Sequence, residues 1–427
     1  MQETIKVGLM GLGTVGSGVY QVLNENGSEI ALRASGPIEI AKILVRDMEK
    51  ERAIRVPGQL FTTDPYELVN DPEIDVIVEV MGGFENTLEI LLAAIERKKS
   101  VVTANKDLIA VHGHELMDKA ANAGVDFLFE ASVAGGIPII RPLIHCLAGN
   151  RIEEIMGIIN GTTNFILSKM TNEKVSFAAA LQEAQELGYA EADPTSDVEG
   201  LDAARKIAIL ASLAFNSQVT FSDVTVKGIS SVTDRDVMYA DQLGYVVKLI
   251  ARAREVDGEI EAIVRPTFVP KDHPLAAVGG AYNAVFVKGN AVGEAMFHGL
   301  GAGSLPTASA VVGDIIEAVR NIHAGVRGKV LATSYHEKPI RSEAESVGKH
   351  YIRLVANDKP GVLGTIAAIF GETHVSIESM VQRKHDGNSA ELVFVTHDVR
   401  YGDLQNALAM LSSHTTVTQV HQVLQVI

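Results

Sequence analysis

Residues 5–10, Ile-Lys-Val-Gly-Leu-Met, form a short apolar run that predicts a buried strand, and a helix-like run follows from Ser17 through Leu23. Strand-like runs recur at 38–45, 75–81, 100–103 and 126–130, with helical segments at 64–70 and 85–97 between them. Strands alternating with helices predict a parallel, doubly wound sheet, whose ligands sit at the carboxyl ends of the strands. The stretch from Leu201 to about Phe215 is apolar on nearly every side, which predicts a buried helix beginning at a cap on Asp197. From 223 to 300 the pattern turns β-like, at 224–229, 245–251, 259–269, 284–287 and 291–298, and predicts a mostly antiparallel sheet. A helix at 307–321, entered at Pro306, is expected to return toward the first domain. Residues 326–349 are polar and basic without clear period and predict a linker. The remainder reads strand 350–356, helix 362–371, strands 374–383 and 389–397, helix 402–412 and strand 416–426. That βαββαβ order is the ferredoxin-like arrangement.

The expected fold is therefore α/β in several domains. A doubly wound domain spans 1–136, an α+β domain spans 137–325, and a ferredoxin-like module spans 350–427. A chain of 427 residues is too long for one core, in keeping with this division.

Charge and cysteine content narrow the function. Lys and Arg number 37 against 53 Asp and Glu, a net charge of −16, which argues against a nucleic-acid or anionic-membrane partner. One cysteine, Cys146, excludes an internal disulfide framework and a multi-thiolate zinc site. The first residues lack the pattern of a signal peptide, and no stretch approaches the ~18 apolar residues of a membrane span. A cytoplasmic protein is expected.

Gly11-Leu-Gly13-Thr14-Val15-Gly16 lies between the first strand and its helix, the context in which a G-x-G-x-x-G loop signals dinucleotide binding. Gly11 would make the tight turn, Gly13 would let the backbone approach a pyrophosphate, and Gly16 would pack helix on strand. The helix N-terminus offers free N–H groups to phosphate. At the end of the second strand, Arg46 with Lys50 suits the 2′-phosphate of NADP, whereas Asp47 keeps NAD open. Lys106 stands at the carboxyl end of the 100–103 strand, where a nicotinamide and its substrate would meet.

The segment from Ala184 to Lys206 is the most informative. Asp202 and Lys206 are four apart on the apolar helix and share a face. Buried charges are costly unless paired and concentrate at active sites, so the two read as a proton-handling pair. Glu191 upstream suits a substrate ammonium. Gly135 and Gly136 make a loop whose carbonyls could coordinate a hard cation, but most such loops bind nothing, and on the residues alone an empty loop is expected. Gly299–Ser309 reads as a glycine-rich loop closing over the cofactor.

With these residues in hand, the chain resembles the homoserine dehydrogenases. Ala184, Gly188, Tyr189, Ala190, Asp193, Pro194, Asp197, Gly200, Asp202 and Lys206 match the family signature, and Thr103–Lys106, Asn160–Asn164 and Gly301–Ala310 look like family segments. The tail is similar to ACT domains, small amino-acid-sensing modules, through Asn357-Asp-Lys-Pro-Gly361. The resemblance implies reversible reduction of L-aspartate 4-semialdehyde to L-homoserine on the route to threonine, methionine and isoleucine. It implies that Lys206 donates the proton, that Lys106 contacts the cofactor and polarises the carbonyl, and that Glu191 and Asp202 bind the amino-acid part of the substrate. Thr14, Val15, Arg46, Gly188 and Gly303 would contact the dinucleotide. Glu130, Val133, Gly135 and Ile137 would hold a sodium ion, mostly through carbonyls. Threonine feedback near Asn357 and Gly361, and a homodimer or homotetramer built through the middle domain, are also implied. No kinase region precedes the glycine loop, so a monofunctional enzyme is expected.

Other chemistries fit these residues less well. A thioester-forming aldehyde dehydrogenase needs an activated cysteine, and Cys146 lies in an apolar helical run where a buried, inert thiol is expected. His112 and His114 have no fitting third ligand for zinc and read as helix-start residues. A non-catalytic sensor of dinucleotide and amino acid has no need of Lys106, Glu191, Asp202 and Lys206 together.

Overall fold

The computed structural model describes residues 3–52, 54–328 and 337–427. The chain divides into two compact units. One comprises Met1–Ile155, Arg205–Ser222 and Asn283–Glu337, and the other Met156–Ala204, Asp223–Tyr282 and Lys338–Ile427.

The first unit contains strands β1 (Ile5–Met10), β2 (Ile38–Leu44), β3 (Phe61–Thr62), β4 (Ile74–Glu79), β5 (Ser100–Thr103) and β6 (Phe127–Leu128). They pair in parallel in the order β3-β2-β1-β4-β5-β6. This is the dinucleotide-binding order, with its switch point between β1 and β4. Val7, Leu9, Val76, Val78 and Val102 are fully buried, as expected of parallel strands covered on both faces. The helix Ser304–Ala324 makes the expected return and packs Ala308, Val311, Ile315 and Val319 into the same core. The last strand is shorter than the expected 126–130, because the chain leaves the sheet for a 3-10 turn at Glu130–Ser132.

Further along lie β7 (Ile152–Ile158), β8 (Thr225–Val226), β9 (Tyr245–Val256), β10 (Glu259–Pro270), β11 (Tyr282–Gly289) and β12 (Gly293–Leu300). β9 and β10 form a long antiparallel pair in continuous register from Tyr245↔Pro270 to Val256↔Glu259. The helix expected from a cap at Asp197 is two helices. Thr195–Val198 forms a single turn, Gly200 takes a φ of +80°, and the long helix starts at Leu201 and runs to Phe215. A left-handed residue ends a helix and favours glycine, which is why the break falls there.

The C-terminal module has the expected order: β13 (Val347–Asn357), helix Val362–Glu372, β14 (Ile377–Lys384), β15 (Ser389–Thr396), helix Tyr401–Ser413 and β17 (Val417–Val426). A two-residue β16 (Val399–Arg400) precedes the second helix. Its sheet order is β17-β13-β15-β14, and Ile352, Leu354, Ile366, Phe370, Phe394 and Leu404 fill its core. β17 pairs in parallel with β10 through Thr267↔Gln425 and Phe268↔Val426, so its sheet continues the β9–β10 pair. Of the expected linker, residues 329–336 lie outside the described residues, while Ile340 bridges Ile260 and Glu343–Glu345 forms a 3-10 turn. Among the described residues no helix is long and apolar enough to cross a membrane.

Candidate active site

β1 delivers the chain into the glycine loop at the switch point. Gly11 has a φ of +106°, and a Cβ there would lie 2.9 Å from the Val80 carbonyl oxygen. A Cβ on Gly16 would lie 2.1 Å from the Gly11 carbonyl oxygen, so only glycine lets the helix Thr14–Glu25 approach so closely. Gly13 caps that helix without a side-chain bond and faces open space, which leaves the first N–H groups of Thr14 and Val15 for an anion. Ser304 Oγ donates to the Thr14 carbonyl over 2.7 Å, which fixes the residue after Gly303 against the same helix.

A cleft of about 610 Å³ runs from Gly11 and Gly13 past Arg46 and Lys50 to Gly82 and Gly83. Of its charged groups, Asp47 accepts the Glu49 N–H over 2.9 Å, and the Arg52 guanidinium donates to the Lys50 carbonyl over 2.7 Å while stacking on Phe61. These two hold the loop together, and Arg46 is exposed at the end of β2. The residues present fit a dinucleotide.

The carboxyl ends of β4 and β5 are joined by a buried network around Glu79, a residue outside the motifs picked out in the sequence. Glu79 is fully buried, accepts the Met81 and Gly82 N–H groups at 2.9 Å each, and accepts the Thr103 hydroxyl at 2.6 Å. Thr103 Oγ1 in turn accepts the Asn105 N–H over 3.0 Å. Asn105 caps the helix Lys106–Ala123 through Leu108 N and donates to the Gly83 carbonyl over 2.9 Å. Burial pushes the Glu79 carboxyl up, and the bonds from Thr103, Gly82 and Met81 pull it back. Glu79 is thus a positioning residue for both the cleft wall and Lys106. A carboxylate inside the apolar run 75–81 was the available clue, since such a charge is buried only with partners. Glu79→Ala is expected to cost about 1–3 kcal/mol, the penalty for orphaned buried donors, and to raise the KM for dinucleotide, measured by urea unfolding and steady-state rates.

Lys106, half-buried, occupies the first turn of its helix. Its neighbour Asp107 forms an ion pair of 2.7 Å with Arg205, the neighbour of Lys206. Within the first unit this contact holds the backbone segments that carry Lys106 and Lys206 beside each other.

In the second unit the signature residues form their own cluster. Asn160 Nδ2 donates to Asp202 Oδ2 over 2.9 Å and to Asp197 Oδ1 over 2.7 Å, while its Oδ1 caps the helix Gly161–Glu173 at Thr163 N. Asp202 is buried and its carboxylate is therefore oriented by an amide. Thr162 Oγ1 donates to the Tyr189 carbonyl over 2.6 Å, so the Gly188–Ala190 turn is held to the same helix. Glu191 follows that turn and is exposed. Asp202 and Lys206 lie one turn apart on the helix Leu201–Phe215.

At the loop expected to hold sodium, the Glu130 carboxylate accepts from Ile139 N, Ile140 N and Arg141 N at 2.6–2.8 Å and from Arg141 Nε at 3.2 Å. Its side chain caps the following helical turn, so a cation here would take main-chain carbonyls. Among the described residues no group of three or more His, Cys, Asp or Glu side chains is placed to hold a metal ion.

Two minor expectations are corrected. His112 and His114 lie within the helix Lys106–Ala123, each paired along it, with Glu115 at 3.3 Å and Asp118 at 3.2 Å. Cys146 is exposed rather than buried, because Pro142–Cys146 forms a π-helical turn that faces it outward. In the C-terminal module Gly361 caps the helix Val362–Glu372, and Asn357 ends β13 with its N–H bonded to the Thr416 carbonyl.

Comparison with known proteins agrees with this geometry. Residues 11–130 match the NAD-binding domain of homoserine dehydrogenase, 138–316 match homoserine dehydrogenase itself, and 350–412 match the ACT domain. A homoserine dehydrogenase of Bacillus subtilis is 47% identical over 420 residues, which is 98% of this chain and 97% of that one. The crystal structure of a homoserine dehydrogenase from Thiobacillus denitrificans superposes with a TM-score of 0.95 at 42% identity, covering 100% of this chain and 98% of that one. A hyperthermophilic archaeal homoserine dehydrogenase in complex with NADPH superposes with a TM-score of 0.63 at 28% identity, covering 74% of this chain and 98% of that one. A dinucleotide cleft, a clustered signature and a C-terminal amino-acid-sensing module thus meet in one sequence, and the chain belongs to the homoserine dehydrogenase family.

Proposed function

We propose that this oxidoreductase interconverts L-aspartate 4-semialdehyde and L-homoserine with NADP as the preferred dinucleotide, in the cytoplasmic route to threonine, methionine and isoleucine. The observation that carries the reading is the Asp107–Arg205 ion pair, which keeps the Lys106 and Lys206 backbones side by side. The bound dinucleotide supplies hydride to the aldehyde carbon. As the carbonyl oxygen gains charge, the Lys206 ammonium gives it a proton, and in the reverse direction the neutral amine takes the hydroxyl proton. Lys106 polarises the carbonyl and contacts the cofactor. Glu191 and Asp202 hold the substrate's α-ammonium, with Asn160 keeping the Asp202 carboxylate in one orientation.

The dinucleotide is held by Gly11, Gly13, Thr14, Val15, Gly16, Arg46, Lys106, Gly188 and Gly303. Asp47 and Arg52 are engaged within their own loop, which leaves Arg46 to meet a 2′-phosphate, and the NADPH complex of the archaeal relative favours the same choice. A sodium ion on the carbonyls of Glu130, Val133, Gly135 and Ile137 completes the cofactor set. The chain functions as three modules, 1–136, 137–325 and 350–427, with 326–349 linking the last two, and assembles as a homodimer or homotetramer. Threonine bound near Asn357 and Gly361 regulates the rate.

One absorbance experiment tests these points: L-homoserine with NADP or NAD, with and without threonine, for the natural chain and Arg46→Ala. NADP is expected to turn over faster. Arg46→Ala is expected to raise the KM for NADP about 10–100-fold, the value of a charge-assisted bond, and to leave NAD nearly unchanged. Equal effects on both dinucleotides would remove Arg46 from phosphate recognition. Nucleotide binding without turnover would favour the non-catalytic sensor.

A further inference from the structure

A second cluster of cations lies in the second unit, where the C-terminal module meets the β9–β10 pair. A cavity of about 220 Å³ is lined there by Lys227 beyond β8, Arg265 on β10, His350 on β13, Gln425 on β17, and Glu343 and Tyr401. At ~30 Å³ per water molecule it has room for several waters or one small polyatomic ion. Glu343 is the sole carboxylate in its lining, and it pairs with Arg265 at 2.9 Å. Lys227 Nζ donates to the Val423 carbonyl over 2.9 Å and to Gln422 Oε1 over 3.4 Å, with Asp236 and Glu343 as more distant carboxylates.

The walls also carry buried polar atoms with no partner. Arg265 is 7% exposed and His350 3% exposed, and neither Arg265 Nε nor His350 Nδ1 has a hydrogen-bond partner. Both side chains are fixed in place. The Arg265 guanidinium lies 5.5 Å from the Tyr401 ring centre, and the His350 and Tyr401 rings are 5.6 Å apart. Burial, reinforced by Arg265, pushes the His350 imidazole down to about 3, so the ring is neutral, and its bond to the Gly348 backbone uses its one N–H and leaves Nδ1 an acceptor. Buried donors are nearly always satisfied, and a water serves a lone N–H but does nothing for excess positive charge.

We propose that this cavity binds a small oxyanion, either an amino-acid carboxylate or free phosphate, through Lys227 and Arg265. Arg265 supplies a directional N–H and Lys227 a mobile point charge. Loss of threonine control at Asn357 and Gly361 would leave this site standing.

Titration calorimetry on the full chain saturated with NADP, which blocks the dinucleotide cleft, tests the proposal at constant ionic strength. The probes are inorganic phosphate, L-threonine, and L-threonine amide as the analogue lacking a carboxylate. One ion per chain is expected to bind, with Lys227→Met and Arg265→Gln each weakening it at least about 10-fold. Phosphate binding that is lost in the variants identifies free phosphate as the ligand. Threonine binding that is lost in them, and absent for the amide, identifies a carboxylate. Lys227 is exposed, so Lys227→Met is expected to fold and keep its basal rate even if Arg265→Gln does not fold. Silence from both anions, or binding undiminished in Lys227→Met, overturns the site.

Discussion

Replacing Lys206 with alanine is expected to lower turnover about 10²–10⁴-fold, the usual contribution of a positioned general acid, while leaving dinucleotide affinity nearly intact. Hydride addition turns a neutral carbonyl into an alkoxide, and a group that donates a proton only as that charge appears stabilises the transition state without tightening the ground state. kcat should therefore fall far more than KM for homoserine rises. Lys206→Arg separates proton transfer from charge. A guanidinium keeps the positive charge but does not release its proton near neutral pH, so this variant should remain close to the alanine variant in rate. Rates followed at the nicotinamide absorbance, beside NADPH binding followed by its fluorescence, provide both numbers. Equal losses of rate and cofactor affinity would mark Lys206 as structural. Recovery in Lys206→Arg would make its role electrostatic.

Much of the fold could be read from local pattern, and what escaped shares one physical cause. The parallel sheet was legible because its strands are buried on both faces, and runs such as Ile74–Glu79 are apolar almost throughout. The C-terminal module was legible from the alternation of its periods. Its attachment was not, because the parallel pairing of Thr267 with Gln425 is carried by backbone and leaves no mark on side-chain pattern. The glycine loop and the signature segment pointed to the dinucleotide cleft and to Asp202 and Lys206. Which residues partner the buried carboxylates was hidden, although Asn160 and Thr103 stand in segments that resemble the family's. Asn160 reaches Asp202 from 42 positions away, Thr103 reaches Glu79 from 24, and Arg353 reaches Asp236 from 117. A carboxylate in an apolar run announces that a partner exists but not where it lies. Local signals misled at Asp197, which looked like a helix cap and instead accepts the Asn160 amide.

That last network sets the largest expected change in stability. Arg353→Met should cost about 3–5 kcal/mol at neutral pH, because it removes the guanidinium that two buried carboxylates share. Arg353 Nε meets Asp236 Oδ1 at 2.8 Å and its NH1 meets Glu391 Oε1 at 3.3 Å, and the two acids are 0% and 3% exposed. Tyr351 donates to Asp236 over 3.1 Å, while Tyr239 donates to Glu391 over 2.6 Å and is pushed up to about 12 by burial and by that carboxylate. Burial alone would lift the Glu391 carboxyl. The Tyr239 bond, with Arg235 and Arg353, outweighs it and holds the group below its ordinary range. A carboxyl lowered on folding stabilises the fold above its ordinary range and loses that contribution as pH falls through the lowered value. In Arg353→Met Glu391 loses one of the groups that lower it, so it holds its proton more tightly and the variant is relatively better off in acid. The gap between the natural chain and the variant should accordingly be widest near neutrality and narrow as the pH is lowered past the carboxylate range. The chain has no tryptophan, so urea unfolding followed by circular dichroism at two pH values is the suitable measurement. Asp236→Leu combined with Arg353→Met removes one stranded acid and should recover part of the loss, since Glu391 keeps Arg235 at 2.9 Å. A gap that widens in acid, or a double variant no better than Arg353→Met alone, would mean that packing rather than charge compensation holds the C-terminal module in place.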